Sequence, residues 1–530
     1  MGVFFVECKT EYSLDLIVSL SKTQHCVTWA GSHMHTAELE NLRKKRPEFN
    51  AIKIVNSPAL YRRKTLKQEY KSYFQPLNPE ILSYFSSIER DFYILTDRGN
   101  YESVSFRERK LYFRDLIRFW MGFLQREDIE AVYCPYAPHV GWELVLMQAS
   151  RFLGLPFAYF SHTAINNRSL LRESYKDIPI VPGGYLKGLS VEDIRSQIDP
   201  ALLKDFEEGS LVTEAVKAEN DAFNKQSVNT SRNLTEKFQK SRPKISMALR
   251  IKRIAGPVYY ALFERTKRRF YLPLSMDEHS SLSIWSRALR RHRVHAARLK
   301  SYYESHTGNI DLEQPYVYFP MHLQPEMTTQ PEAGIYEDHY LVLEQILAAL
   351  PEGWKIYVKE NPRQYDTSIN AVSAMHFRDI QDLKDLLDAS PAIHFVPQSV
   401  STPDLIQNAQ AVVTQTGTVG WECLTSGKPC IAFARPWYSG CRSCLRVNNA
   451  EDLRAAFQQV PHISPEKVQA DLMRFLHFYQ NELFIGSLSD PTNVAYNTRP
   501  YDELISGHKQ RLLNFFESGT GKDQSIKRTG

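Results

Sequence analysis

Nowhere do the 530 residues string together about 18 apolar positions, so no membrane-spanning helix is expected. Cysteine is scarce. The seven are Cys8, Cys26, Cys134, Cys423, Cys430, Cys441 and Cys444, an odd number without a disulfide framework. Several sit in apolar, strand-like runs, where a buried free thiol is the usual state, and a reducing compartment fits that usage. Cys441 and Cys444 make a CxxC, but no second pair and no histidine pair accompanies it, so no metal site is expected. The N-terminus lacks a basic lead and a long apolar stretch, and reads as a strand and helix rather than a secretion signal. Val6 stands where a myristoylation motif needs Ser or Thr. A GxxxxGK[ST] loop and any recognised nucleic-acid motif are also missing, so no nucleic-acid partner is expected.

What is present is an ordinary globular composition, 43% hydrophobic and 24% charged, over a length that suits two large domains. Charge is uneven. Residues 237–300 hold 17 Lys or Arg against three acids, a local +14 in a chain of formal charge +5, so the remainder is acidic. Two readings of this stretch stay open. It is a solvated linker with helices packed on the domains, or an interfacial segment that meets anionic lipid or a polyanionic acceptor.

Short runs rich in aromatic and β-branched residues at 3–6, 26–30, 52–55, 92–96, 131–133 and 157–160 read as strands. Amphipathic stretches between them, notably 106–125 and 141–153, read as helices. The same alternation returns from residue 316, with strands expected at 317–319, 354–358, 392–396, 411–414 and 430–433. Helices are expected at 336–350, 403–408, 419–425, 450–458, 464–483 and 501–516. Alternation of this kind builds parallel sheets covered by helices. The expected fold class is therefore α/β and GT-B-like: two facing, Rossmann-type, doubly wound domains with a helical, basic insert between them. The expected divisions are 1–185, an insert 186–314, a second domain 315–490, and a terminal helix with a disordered tail at 491–530.

In open α/β sheets ligands bind beyond the carboxyl ends of strands. The chemistry-bearing residues fall there. After the strand ending at Thr414 comes a turn of Gln415, Thr416 and Gly417, and a helix opens near Thr418. Free N–H groups and partial positive charge at a helix N-terminus suit phosphate. Gly417 would admit close backbone approach, the two threonines add hydroxyl donors, and Glu422 offers a carboxylate to a sugar hydroxyl. The same run also reads as a capped core turn ending at Gly427. Lys359, Pro362 and Arg363 follow the strand 354–358, where two cations would bracket an anion and the proline would fix the turn. His322, Gln324 and Glu326 follow the strand 317–319, and His322 is a candidate proton donor or phosphate ligand. In the first half, His139, Glu143, His162 and Arg168 could line the facing wall. A general base for an acceptor hydroxyl is expected there, at Glu143 or His139, although Glu143 also sits where a helix cap would.

Taken together, these segments resemble the bacterial capsule polysaccharide biosynthesis family, which includes Kdo-transferase-like GT-B enzymes. The resemblance rests on Tyr318 to Glu326, Lys359 to Arg363, Gln415 to Glu422 with Gly427 to Pro429, and Pro138 to Gly141. It implies an inverting glycosyl transfer from a CMP-activated 2-keto sugar acid such as Kdo, with release of CMP and no metal or other cofactor. It implies that Gln324, Glu326, Lys359, Asn361, Pro362, Arg363, Gln415, Thr416, Gly417, Thr418 and Glu422 hold the nucleotide-sugar. One departure is Asn361, where related sequences carry the histidine of a His-Pro pair. The acceptor would be a glycan or lipid-linked glycan, and the place of work the cytoplasm, peripheral to the inner membrane face. Two rival readings stand beside this one: a transferase using a UDP-sugar or CDP-polyol donor, and a non-catalytic export or scaffold protein.

Overall fold

A computed structural model of the chain describes residues 2–6, 11–23, 26–31, 36–97, 105–175, 178–208, 282–365, 378–486 and 499–519. Its first strands are β1 (Gly2–Phe5), β2 (Cys26–Gly31), β3 (Lys53–Asn56), β4 (Ile129–Cys134), β5 (Phe157–His162) and β6 (Arg168–Arg172). Then come β7 (Tyr316–Pro320), β8 (Lys355–Lys359), β9 (Ile393–Phe395), β10 (Ala411–Thr414), β11 (Cys430–Ala432), β12 (Cys444–Arg446) and β13 (Phe484–Ile485). They form two sheets, ordered β13-β6-β5-β4-β1-β2-β3 and β12-β11-β10-β7-β8-β9. The second is parallel throughout, and the first is parallel from β5 to β3. In each, the chain winds outward on one side and then restarts on the other, so the order reverses between β1 and β4 and between β7 and β10. This is the doubly wound, GT-B-like architecture expected from the alternation.

Both faces of each sheet are buried, which explains strands that are apolar along their whole length. Phe4 and Val132 point to one face, with Trp120 and Trp142, while Val3, Phe5 and Tyr133 point to the other, with Leu16 and Phe516. In the second sheet Tyr316, Tyr318 and Val412 share one core, and Val317, Phe319 and Val413 the opposite one.

One expected strand is corrected. Residues 92–96 lie within the helix Glu89–Asp97. Ile88, Phe92 and Leu95 form a buried stripe at helical spacing, and the Phe92 ring sits 4.6 Å from that of Phe113. A five-residue apolar run carries no period long enough to tell the two states apart.

The chain crosses to the second unit earlier than the expected boundary at 185. Ile178 and Val181 already belong to the second core, and the Val181 N–H donates to the Gly440 carbonyl at 3.0 Å. The return crossing precedes residue 490, because β13 pairs antiparallel with β6 in the first sheet. The helix Tyr501–Gly519 then docks on the helix Glu11–Ser21. There the Tyr12 hydroxyl donates to the Leu504 carbonyl at 2.9 Å, and Tyr133 Oη lies 2.8 Å from His508 Nε2.

Of the basic insert, residues 209–281 lie outside the described residues, as do 520–530 of the expected tail. The described part includes the helix Leu282–Ser305, which buries Ala296, Leu299 and Tyr303 and exposes Arg291, Arg293 and Arg298. It packs beside the helix Ile380–Ala389, which carries Asp382, Asp385 and Asp388. Among the described residues no helix is long and apolar enough to cross a membrane.

Candidate functional site

The loops that follow β7 and β10 meet where the strand order reverses. His322, just past β7, places its Nε2 2.9 Å from Oγ1 of Thr414, the last residue of β10. Thr414 Oγ1 also accepts the Gly417 N–H at 3.1 Å. Gly417 is the N-cap of the helix Thr418–Thr425, no side chain caps that helix, and Thr418 is exposed. An open helix N-terminus of this kind presents N–H groups to an anion. The glycine has a further reason. A Cβ at Gly417 would lie 2.7 Å from Cε1 of His322, so the position serves the imidazole as well as any ligand.

Neighbouring side chains brace the turn. The Thr416 hydroxyl donates to the Thr328 carbonyl at 2.6 Å, and Gln415 Nε2 donates to the Tyr336 carbonyl at 3.0 Å. Gln415 Oε1 is buried without a partner among the described residues. Glu422 is half-buried one turn into the helix. The Tyr438 hydroxyl donates to the Gly417 carbonyl and would collide with any side chain at Gly420.

Behind His322 lies a buried polar network that sequence reasoning did not find. Arg378, 2% exposed, donates from Nε to Glu360 at 2.9 Å, from Nη2 to the His322 carbonyl at 2.8 Å, and from Nη1 to Gln324 Oε1. The His322 N–H donates to Nε2 of His339 at 2.8 Å. Gln324 is held further by Gln364, which accepts its N–H at 2.9 Å, and by the Glu337 carbonyl. Burial and the adjacent guanidinium push the His322 imidazole down to about 4, and they lower His339 as well. Both rings are neutral at pH 7. Arg378 comes from a segment 54 residues beyond Gln324, and nothing local in the sequence marks it.

The remaining expected residues are placed as follows. Lys359 is buried, and its ammonium donates to the Val400 carbonyl at 2.6 Å. Asn361 accepts the Arg363 N–H at 3.0 Å, so it closes the 3-10 turn Pro362–Tyr365, on which Pro362 and Arg363 are exposed. Glu326 is half-buried and accepts from the Thr328 hydroxyl at 3.3 Å.

On the first unit, Glu143 is 1% exposed, and its Oε2 accepts the His139 and Val140 N–H groups at 3.0 and 3.4 Å. Those bonds cap the helix Gly141–Phe152. His139 is half-buried, its Nδ1 3.1 Å from the Ala137 carbonyl. His162 is exposed at the end of β5. Arg168 is buried in an ion pair with Asp205 at 2.6 Å, away from the first sheet's switch point.

The two units touch beside the crevice. Met327 packs on the first unit's core, and Arg90 pairs with Glu337 at 2.7 Å. Arg172, on β6, donates to the Arg435 carbonyl at 3.1 Å. Nearby, burial raises the Glu332 carboxyl, with Arg172 opposing the shift and Glu326 adding to it. Cys134, Cys423, Cys430, Cys441 and Cys444 are buried thiols outside any disulfide, and among the described residues no three His, Cys, Asp or Glu side chains converge as a metal would require.

Comparison with known proteins follows this geometry. No curated protein matches the chain. Among solved structures, the β-Kdo 2,4-transferase KpsC of Thermosulfurimonas dismutans aligns at 12% identity, covering 66% of this chain and 87% of that one, with a TM-score of 0.26. Its β-Kdo 2,7-transferase counterpart aligns at 16% identity over 43% and 66%, with a TM-score of 0.22. The UDP-GlcNAc 2-epimerase of Neisseria meningitidis bound to UDP-GlcNAc aligns at 11% identity over 98% and 100%, with a TM-score of 0.25. Residues 277–480, which hold the β7–β10 crevice, match the family described as capsule polysaccharide biosynthesis protein.

Proposed function

We propose that the chain is a glycosyltransferase of surface polysaccharide assembly, with the nucleotide-sugar bound at the second unit and the glycan acceptor approaching from the first. One observation carries this reading. An uncapped helix N-terminus and a largely buried histidine share the β7–β10 switch point, where doubly wound sheets bind phosphate-bearing ligands. The family match over residues 277–480 supports it independently.

In this reading the helix N-terminus and His322 hold the phosphate next to the sugar, and Glu422 and the exposed Arg363 flank it. Preorganised donors around the departing phosphate stabilise charge as the glycosidic bond breaks. Bringing the acceptor hydroxyl across the inter-unit cleft supplies orientation. His139 on the first unit is the proposed base, because the Glu143 carboxylate is already engaged in capping. The proposed donor is a CMP-linked 2-keto sugar acid, and no metal is required to hold it.

Nucleotide release from a panel of CMP-, UDP- and CDP-linked donors tests the reading. Release from the CMP donor in the presence of a glycan acceptor supports it. Release from a UDP or CDP donor alone replaces the donor, and inertness with every pair favours a binding or scaffold role. The basic stretch 237–300 is proposed to meet anionic lipid or acceptor. Sedimentation with anionic vesicles should then fall steeply with salt, and equal binding to neutral vesicles at low salt would remove the idea.

A further inference from the structure

We propose that Thr414, His339 and Arg378 lock His322 as the neutral imidazole carrying its proton on Nδ1, and that this N–H donates to a phosphate oxygen of the bound nucleotide. The inference rests on the proposed nucleotide site and assigns one of its donors. Thr414 is fully buried, and its hydroxyl oxygen already accepts the Gly417 N–H. The hydroxyl proton needs an acceptor, and among the described residues the one in reach is His322 Nε2 at 2.9 Å. A neutral ring whose Nε2 accepts must carry its hydrogen on Nδ1.

The backbone that carries the ring is anchored on both sides. Its N–H is held by His339 Nε2 at 2.8 Å and its carbonyl by Arg378 at 2.8 Å. His339 is fixed in turn: its Nε2 accepts, and its ring bonds to the Glu337 backbone.

Among the described residues, the groups facing the ring supply no net negative charge to favour a second proton. Arg378, from the segment before the helix Ile380–Ala389, is a permanent cation, and His339 adds no negative charge. Glu360, the nearby anion, is taken up by Arg378. Thr414 and Gly417, on the β10 side, bear no charge. Burial acts in the same direction and holds the imidazole at about 4. His322 is therefore a fixed dipole rather than a proton shuttle at pH 6 to 8.

Only one edge of the ring is left for a ligand. The side chain is 8% exposed, yet Nδ1 has no partner among the described residues and is not sealed off. A Cβ at Gly417 would lie 2.7 Å from Cε1 and 2.8 Å from Nε2, so the turn meets the Cε1–Nε2 edge and Nδ1 is the next ring atom beyond Cε1. Nδ1–H is thus one ring atom away from the edge that meets the opening turn of the helix Thr418–Thr425, and the proposal sets one phosphate against both. A neutral donor beside an uncapped helix end suits an oxyanion and needs no proton transfer.

Nitrogen-15 spectra of histidine-labelled protein test the tautomer without a ligand, with the His322 ring assigned by its loss in His322→Asn. The expected result is a protonated Nδ1 and an unprotonated Nε2, unchanged from pH 8 to 5.5. A proton on Nε2, or a titration midpoint near 6.5, overturns the proposal. CMP titrations then test the donor role. His322→Asn places an amide near the Nδ1 position and His322→Phe places none, so Asn should bind CMP at least about tenfold more tightly than Phe. Equal losses in both variants overturn the donor role. If wild type itself binds no nucleotide, the site reading fails and the donor role with it, while the ring spectrum still decides the tautomer.

Discussion

Arg378 shows how much of the site depends on a residue buried behind it. Its guanidinium holds Glu360, the His322 carbonyl and Gln324 together in a fully buried place. Removing one partner of a buried ion pair leaves the other charged and unsolvated. Arg378→Met should therefore cost about 3–5 kcal/mol in urea unfolding of the second unit. A loss below about 1 kcal/mol would show that Glu360 finds other partners. The depressed pair His322 and His339 has a consequence in acid. A histidine whose folded pKa lies below its unfolded value of about 6.5 loses stability as pH falls through that window, because the unfolded chain binds the proton more readily. His322, held at about 4, contributes full stability above pH 6.5. It should forfeit about 2 kcal/mol by pH 5. His322→Asn lacks this share, so the melting gap between wild type and variant should shrink from pH 7 to 5. A gap that widens or stays constant would mean that the ring is not depressed.

At the scale of elements, what was legible followed from periodicity. Parallel strands buried on both faces announce themselves as apolar runs, and β1, β4, β5, β7, β8 and β10 were all readable in the sequence. So was the strand–turn–helix at Thr414 to Thr425, because glycine and threonine there break the apolar run. β6 was not, because Arg168 and Arg172 stand at its ends, the first paired with Asp205 and the second bonded to the Arg435 carbonyl, both distant in sequence. Strand 92–96 was misread because its apolar residues serve a helix stripe. In the site, His322 and the Thr/Gly turn were visible at strand ends. The cage of Arg378, Glu360 and His339 was not, since it is assembled by tertiary packing. The helix Tyr501–Gly519 was expected from its pattern, but its docking on the first unit was not. Phe516 there is fully buried beside Leu16 and Tyr133. Phe516→Ala should cost about 3–5 kcal/mol, as in any well-packed core. A change under about 0.5 kcal/mol in denaturant titration would mean that the terminal helix is a loose appendage.

The whole molecule sets two switch-point crevices into one chain that crosses between units near residue 178 and returns at β13. Contacts between the units are mixed: Met327 in an apolar core, and Arg90 with Glu337 in a half-exposed ion pair. A pair that exposed adds little stability, under about 1 kcal/mol, so it orients the cleft more than it secures it. The central claim is that phosphate binds at the open N-terminus of the helix Thr418–Thr425. Gly417→Val is a poor test, because the new side chain would strike His322. Thr418→Glu is a clean one. Thr418 is exposed at the first helical position, where a carboxylate is favoured by the helix dipole, by about 0.3–1 kcal/mol. The fold should hold or gain stability, while the same carboxylate occupies and repels the phosphate position. Calorimetric titration of wild type and Thr418→Glu with CMP is the most direct measurement. The account predicts binding to wild type and at least about a tenfold loss in the variant, roughly 1.4 kcal/mol, with an undiminished melting temperature. Equal affinity in the two proteins would contradict it.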